Sequence, residues 1–211
     1  MRHTIAFAGA FLLSTTAALG QSAPAPLPAR DTHEGVTISA DPYADAARSK
    51  ERFGKKNPYE NGILALEVFL RNDTDRPVQV DLDSIRLLVN PPNADRQRLE
   101  PLQAEDVADR TLKKGGGPNP TARRTPIPGG SRPKAGHSKE WEQMTATLRS
   151  LALGADILAP HATVHGFLFF DLDRHFEWIA HSRLYIPDLK YLDTKQALFY
   201  FEIDLAGARP R

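Results

Sequence analysis

The most constraining feature of the sequence is a two-residue alternation of apolar side chains, interrupted by turn-forming residues. Residues 62–89, GILALEVFLRNDTDRPVQVDLDSIRLLV, contain two such runs on either side of the polar tetrad at 72–75. Residues 162–171 and 196–205 alternate in the same way. Because successive side chains of a strand point to opposite faces, these runs predict antiparallel strands with one buried face. In the last run, the side chains expected to face the core are Ala197, Phe199, Phe201, Ile203 and Leu205.

Weaker signals complete the expected fold. Short strands are predicted at 34–40 and 183–187, and helices at 43–56, 103–112 and 139–153, the last capped by Ser138. Strands therefore occupy both ends of the chain and a helical segment separates them. This order indicates a mainly all-β fold, an antiparallel β-sandwich with short helices in a long insertion at about 91–154.

The N terminus has the pattern of an export signal. Residues 1–20, MRHTIAFAGAFLLSTTAALG, join a short basic start to an apolar run and a small-residue end, which is typical of a cleaved secretory signal peptide. The apolar run is shorter than the roughly 20 residues that cross a bilayer. Residues 21–33 are predicted to be a disordered leader, and residues 34–211 a single domain. We therefore expect an exported protein, periplasmic or extracellular, with no transmembrane segment.

The chain contains no cysteine, which excludes both a thioether-linked lipid anchor and disulfide bonds. A thioether-linked lipid has no sulfur to attach to, so we expect a soluble protein and not a lipoprotein. Disulfides are also excluded, although an oxidising compartment would permit them. Stability must then come from a packed core.

Two blocks of the sequence match a known pattern. The segment at 63–81 carries an asparagine, an aspartate and a proline before a valine, and the segment at 158–171 begins at a proline corner. They resemble secreted bacterial immunoglobulin-like domains of unknown function, over about half of the mature chain. The resemblance implies an immunoglobulin-like sandwich and brings no activity, cofactor or ligand; His161 stands where the family has a glycine. The matching residues are Asn72, Asp75, Pro77 and Val78 in the first block, and Leu158, Pro160, Val164, Gly166, Phe169 and Asp171 in the second.

The stretch LAPHATVHGFLFFDLD at 158–173 raises the question of a metal or catalytic site. His161 and His165 are four residues apart, which on a strand separates them by roughly 13 Å. A zinc ion needs its donor atoms about 2 Å away, so the two imidazoles are not expected to share one ion. Asp171 and Asp173 are closer together, but aspartates at a strand end commonly bind their own turn backbone. We expect no metal site and no cofactor.

Two segments are candidates for binding a partner. The loop at 172–182 carries Phe176 and Trp178, which would either stack on a sugar or fill a partner's pocket, or else close one end of the sandwich. The closing role is favoured, since burying a large aromatic gains a few kcal/mol. The segment from Arg110 to Lys139 carries eight basic residues and no acidic one, and its Gly- and Pro-rich part indicates a long loop. It would either attract an anionic envelope component or be a solvated loop. Its candidate binding residues are Arg123, Arg124, Arg132 and Lys134.

Signals for catalysis are weak. The sequence has no nucleophile elbow, phosphate-binding loop, HExxH motif or dinucleotide fingerprint. The basic segment lacks interleaved aromatic residues, so nucleic acid is not an expected partner. We therefore predict a non-catalytic envelope module, either a binding protein for an anionic component or a protein partner, or a structural accessory. The alternative is a hydrolase of an envelope polymer that uses carboxylates near Asp171.

Overall fold

The computed structural model describes residues 29–112 and 138–208. Its regular elements are mostly strands, so the mainly all-β class is confirmed. The strands are β1 (Ala29–His33), β2 (Val36–Tyr43), β3 (Ile63–Asn72), β4 (Val78–Val80), β5 (Arg86–Val89), β6 (Gln97–Leu99), β7 (Ile157–Leu158), β8 (Thr163–Asp171), β9 (Ser182–Ile186), β10 (Leu189–Tyr191) and β11 (Phe201–Asp204). The helices are α1 (Ala46–Phe53), α2 (Ala104–Leu112) and α3 (Lys139–Leu151), with short 3-10 segments at Tyr59–Asn61, Leu82–Ser84, Phe176–His181 and Leu205–Gly207.

The strands form three antiparallel sheets around one apolar core. The first sheet has the order β1-β2-β3-β8, the second β11-β9-β5-β6, and a small third sheet β10-β4-β7. The alternation predicted for residues 62–89 places Leu64, Leu66, Val68 and Leu70 in this core. Side chains of the second sheet, among them Leu87, Leu184 and Phe201, pack in the same cluster.

The outer face of the first sheet is also buried, because helices cover it. Ile63, Ala65, Phe167 and Phe169 form a second apolar cluster with residues of α2 and α3. Strand β8 is therefore buried on both faces from Gly166 to Phe170. The helices form an outer layer on the side of the first sheet that faces away from the second sheet.

The leader is shorter than its sequence indicates. Residues 29–33 were expected to be disordered, but Ala29–His33 forms β1 and pairs with β2. Glu34 and Gly35, with φ of 48° and 77°, make the two-residue turn between them, the left-handed geometry of a tight hairpin. Pairing with a β-branched neighbouring strand, which the polar sequence ARDTH does not reveal, orders these residues.

The last strand is also shorter than predicted. Regular pairing in the second sheet covers only Phe201–Asp204 of the predicted 196–205. Upstream of it the backbone pairs with β10 instead, through a bridge from Lys190 to Ala197 and a hydrogen bond from Leu198 N to Leu189 O at 2.9 Å. Because the pairing partner changes, the side chains before β11 point to the opposite faces from those predicted. Leu198 is therefore buried, while Phe199 is 68% exposed. The prediction that Ala197 and Phe199 face the core is wrong.

The predicted insertion is integrated into the fold. Strand β6 joins the second sheet, and α2 and α3, both confirmed close to their predicted bounds, cover the first. After α3, Leu153 N donates to Phe167 O at 3.0 Å, so the chain runs beside β8. Residues 113–137 lie outside the described part. Among the helices within residues 29–112 and 138–208, none combines the length and hydrophobicity that a membrane span requires.

Candidate ligand groove in the helical layer

The two histidines of the 158–173 stretch lie apart. Residues 163–171 are strand β8, as the alternation predicted. His161 lies in the preceding turn, with its Nε2 2.9 Å from Asp75 Oδ1. The ring of His165 stacks on Phe69 at a centroid distance of 5.4 Å. Each imidazole therefore has its own local partner, on a different part of the chain.

Asp171, the carboxylate considered for catalysis, lies apart from the strand carboxylates Glu67 and Glu202. Asp171 ion-pairs with Arg110 and accepts the backbone N–H of Asp173, which is the turn-binding role expected of it. Glu67 shares its sheet face but lies opposite Phe167, four residues along β8 from Asp171, or roughly 13 Å. Glu202 lies on the second sheet. Within the described ranges, no cluster of three or more His, Cys, Asp or Glu side chains is arranged to hold a metal ion.

The aromatic loop packs onto the main core. Phe176 stacks on Tyr59 at 4.2 Å, and Trp178 stacks on His175 at 4.2 Å with the rings 9° from parallel. Both Phe176 and Trp178 pack against the main core and are half-buried. His175 Nδ1 lies 2.8 Å from Glu177 Oε1, and this hydrogen bond lowers the pKa of the Glu177 carboxyl.

A shallow groove of about 330 Å³ remains beside Trp178, where the 91–94 turn meets the loop. One face of the indole is already covered by His175 and the side chain packs on the core. These contacts favour the prediction that the loop packs onto the core over the alternative that Trp178 is free to stack on a ligand.

The basic candidates Arg123, Arg124, Arg132 and Lys134 lie outside the described residues. Leu112 and Glu140, near the two described ends of the basic segment, line a groove of about 430 Å³ between α1, the end of α2 and α3. This volume lies within the range of roughly 300–1,000 Å³ that is usual for ligand sites. Its floor is apolar and is formed by Phe53, Leu112, Met144 and Leu148.

The rim of this groove is basic. Arg52, Lys55 and Lys56 line it, and among the described lining residues Glu140 alone is acidic. Lys56 ion-pairs with Glu140, whereas the Arg52 guanidinium lies over the Phe167 ring, 5.3 Å from its centroid. The rim therefore carries an excess of positive charge above an apolar floor.

Buried polar contacts fix the turn that carries the rim lysines. Helix α1 begins at the cap Asp45, whose carboxylate accepts the N–H of Ala47 and Arg48, and ends at Gly54 with φ of 84°. Asn57 is 1% exposed; it accepts a hydrogen bond from the Ser49 hydroxyl and donates to Gly54 O, both at 3.3 Å. Lys55 and Lys56 thus extend from a turn whose backbone is held on both sides.

Sequence reasoning missed this groove. It placed a surface helix at 43–56 but assigned it no role, although the RFGKK stretch at 52–56 sets three basic residues around one aromatic. The rest of the lining comes from α2 and α3, which lie more than fifty residues further along the chain. The basic aromatic stretch was the available signal, and its apolar partners were not evident from spacing.

Comparisons with known proteins give little further information. No protein-family model matches the chain, and a search of curated proteins gives no match. Among solved structures, the chain is similar to a functionally unknown protein from Listeria monocytogenes EGD-e, with 13% identity and a TM-score of 0.34. That match covers 75% of this chain and 70% of the other. A TM-score of this size does not establish a shared fold, so the candidate site rests on its own geometry.

Proposed function

We propose that this protein is an exported, non-catalytic cell-envelope module that binds anionic lipid through the groove between α1 and α3. The observation that carries the proposal is the basic rim of Arg52, Lys55 and Lys56 around an apolar floor. A phospholipid presents the complementary chemistry, because its charged phosphate is adjacent to hydrocarbon. Inorganic anions such as phosphate offer no apolar part for Met144 and Phe53 to contact.

The expected binding is moderate and depends on salt. A Lys or Arg near an anionic bilayer surface contributes about 1 kcal/mol, and this contribution falls off within a Debye length of roughly 8 Å at physiological ionic strength. Apolar contact adds about 25 cal/mol for each Å² removed from water. Both contributions act at the groove, because its charged and apolar residues line the same cavity.

Export and an immunoglobulin-like fold belong to the same proposal. The pattern of residues 1–20 supports export and cleavage, after which residues 21–211 remain. Antiparallel sheets packed on one core, with a buried Asn72 at the turn after β3, support an immunoglobulin-like sandwich. An envelope location would bring the protein to its lipid ligand.

Co-sedimentation with vesicles tests lipid binding. The chain of residues 21–211 is mixed with phosphatidylcholine vesicles, with or without a third of phosphatidylglycerol. We expect it to sediment with the anionic vesicles at low salt and to be released as screening increases. Equal binding to both kinds of vesicle, or none to the anionic ones, would refute the proposal.

A matched pair of variants tests the apolar floor without changing the charge. Met144 lines the groove, whereas Ala146 is an exposed residue of the same helix that does not line it. Met144→Gln should weaken binding to anionic vesicles several-fold, while Ala146→Gln should leave it unchanged. Equal affinities in the two variants would show that the floor takes no part.

A further inference from the structure

The outer face of the second sheet is a separate surface with an ordered arrangement of charges. Along β5, β9 and β11, alternate side chains enter the core and the others point away from it. The strand register places the outward-pointing side chains of Arg98, Leu88, Arg183 and Asp204 in one row across all four strands. The next row is Arg86, Tyr185 and Glu202.

Most of these charges are paired within the sheet. Arg183 pairs with Glu202 at 3.3 Å, and Arg86 pairs with Glu100 at 2.9 Å. Within the described residues, Arg98 and Asp204 have no ion-pair partner. They lie in the same row but on opposite edge strands, β6 and β11. The face is therefore positive at one edge and negative at the other.

Aromatic side chains lie exposed beside the negative edge. Phe199 and Tyr200 are 68% and 54% exposed, and together with Ile157 they are the large apolar side chains exposed in the described part of the chain. Tyr200 contacts Tyr185 of the second row, with ring centroids 5.7 Å apart. Exposed tyrosine and arginine side chains are the types most enriched at binding hot spots.

We propose that this face binds a second copy of the chain in a two-fold symmetric dimer. A two-fold axis that runs parallel to the strands, between β5 and β9, places β11 of each copy over β6 of the other. This rotation places each row of one copy opposite the same row of the other copy, with the two edges exchanged. Arg98 of each copy therefore faces Asp204 of the other. Two equivalent ion pairs form, as an isologous interface requires.

The expected dimer is weak and independent of lipid binding. With strands about 4.8 Å apart and 3.3 Å per residue, the face measures roughly 14 by 13 Å, which is small beside the ~800 Å² per partner of a standard interface. The α1–α3 groove lies in the helical layer, on the other side of the first sheet. Dimer formation therefore leaves the groove accessible.

Sedimentation equilibrium of residues 21–211, from about 10 µM to 1 mM, tests the proposal. The chain should form a dimer within this range, and Arg98→Glu or Asp204→Arg should each raise the dimer Kd at least tenfold. The exposed Lys50→Glu of α1, the same change of charge in the helical layer, should not. A chain that stays monomeric at every concentration would overturn the proposal.

A mixing experiment distinguishes self-association from any other use of the face. Equimolar Arg98→Glu and Asp204→Arg chains should form a heterodimer, because each new Glu then faces a new Arg and each remaining Arg faces a remaining Asp. Failure of the mixture to dimerise would also overturn the proposal. Asp204 caps the 205–207 turn by accepting the N–H of Ala206, so Asp204→Asn, which keeps that acceptor and loses the charge, should weaken the wild-type dimer by a smaller factor.

Discussion

The side-chain amide of Asn72 donates a hydrogen bond to the backbone carbonyl of Leu158, 3.2 Å away and 86 residues further along the chain. The same amide reaches Arg76 O at 2.7 Å and Ala159 O at 3.2 Å, and its oxygen accepts from Thr74. One fully buried side chain thus joins the turn after β3 to the start of the proline corner. Both ends of the Asn72 side-chain amide are therefore hydrogen-bonded within these two turns.

Replacing Asn72 should therefore be costly. Asn72→Ala removes the hydrogen bonds that join the two turns and takes away the acceptor of the Thr74 N–H, so we expect the free energy of unfolding to fall by roughly 2–4 kcal/mol. Urea denaturation followed by circular dichroism measures the change. The exposed Asn93→Ala should stay within about 0.5 kcal/mol of wild type. If Asn72→Ala changes the free energy of unfolding as little as Asn93→Ala does, water replaces the hydrogen bonds of Asn72.

Gly166 should resist even the smallest substitution. A Cβ added there would lie 2.6 Å from both Leu153 N and Leu153 Cα, and backbone cannot move aside as a flexible side chain can. We expect Gly166→Ala to cost at least 1–3 kcal/mol, the usual range for overpacking. At Gly154 the nearest heavy atom to an added Cβ is Ala152 O at 3.9 Å, so Gly154→Ala is the control. Equal thermal stability of the two variants would contradict the close approach of the chain to β8.

Tyr43 should make stability depend on alkaline pH. Its hydroxyl donates to Glu67 at 3.1 Å, and burial, reinforced by the negative charge of Glu67, raises the pKa of Tyr43 above its ordinary value of 10.0. The stability that Tyr43 contributes is therefore fully present below pH 10 and is lost as the pH rises through the folded-state pKa, because the unfolded chain ionises first.

Comparison with Tyr43→Phe isolates this effect from other titrating groups. The free energy of unfolding of wild type minus that of the variant should be constant between pH 7 and 9 and should decrease above about pH 10. A difference that stays flat to pH 11.5 would show that Tyr43 titrates normally in the folded protein.

The aromatic loop should matter for stability and not for lipid binding. Trp178 packs on His175 and on the core, so Trp178→Ala should lower the free energy of unfolding by about 2 kcal/mol or more. Vesicle affinity of the folded variant should equal that of wild type, because the loop does not line the α1–α3 groove. Chemical denaturation and co-sedimentation measure the two properties separately. Lost vesicle binding with unchanged stability would move the binding site to this loop.

The core was predictable from the sequence because its signal is local. Leu64, Leu66, Val68 and Leu70 alternate as the core face of a strand should, and β3 and β8 were both predicted as strands. Alternation did not predict that the other face of β8, with Phe167 and Phe169, is also buried. Ala29–His33 was not predictable, since five mostly polar residues become a strand only by pairing with β2. Phe199 was misplaced because the chain changes its pairing partner just before β11, and alternation within one segment carries no information about that change.

The groove was less predictable than the core. Arg52, Lys55 and Lys56 are close in sequence, but Leu112 and Met144 reach them only through the packing of α2 and α3 on the first sheet. A site assembled from distant helices leaves no single motif. The basic segment that the sequence suggested as a binding site lies between α2 and α3 in the chain, and both helices supply residues to the groove.

The most direct test of lipid binding is a charge reversal at the rim compared with one beside it. Lys55 lines the groove, whereas Lys50, exposed on α1, does not. In co-sedimentation with phosphatidylglycerol-containing vesicles at physiological salt, Lys55→Glu should raise the apparent Kd at least fivefold, consistent with about 1 kcal/mol for each charge near the surface. Lys50→Glu should change it less than twofold. Equal effects of the two reversals, or none from either, would contradict a lipid site in the groove.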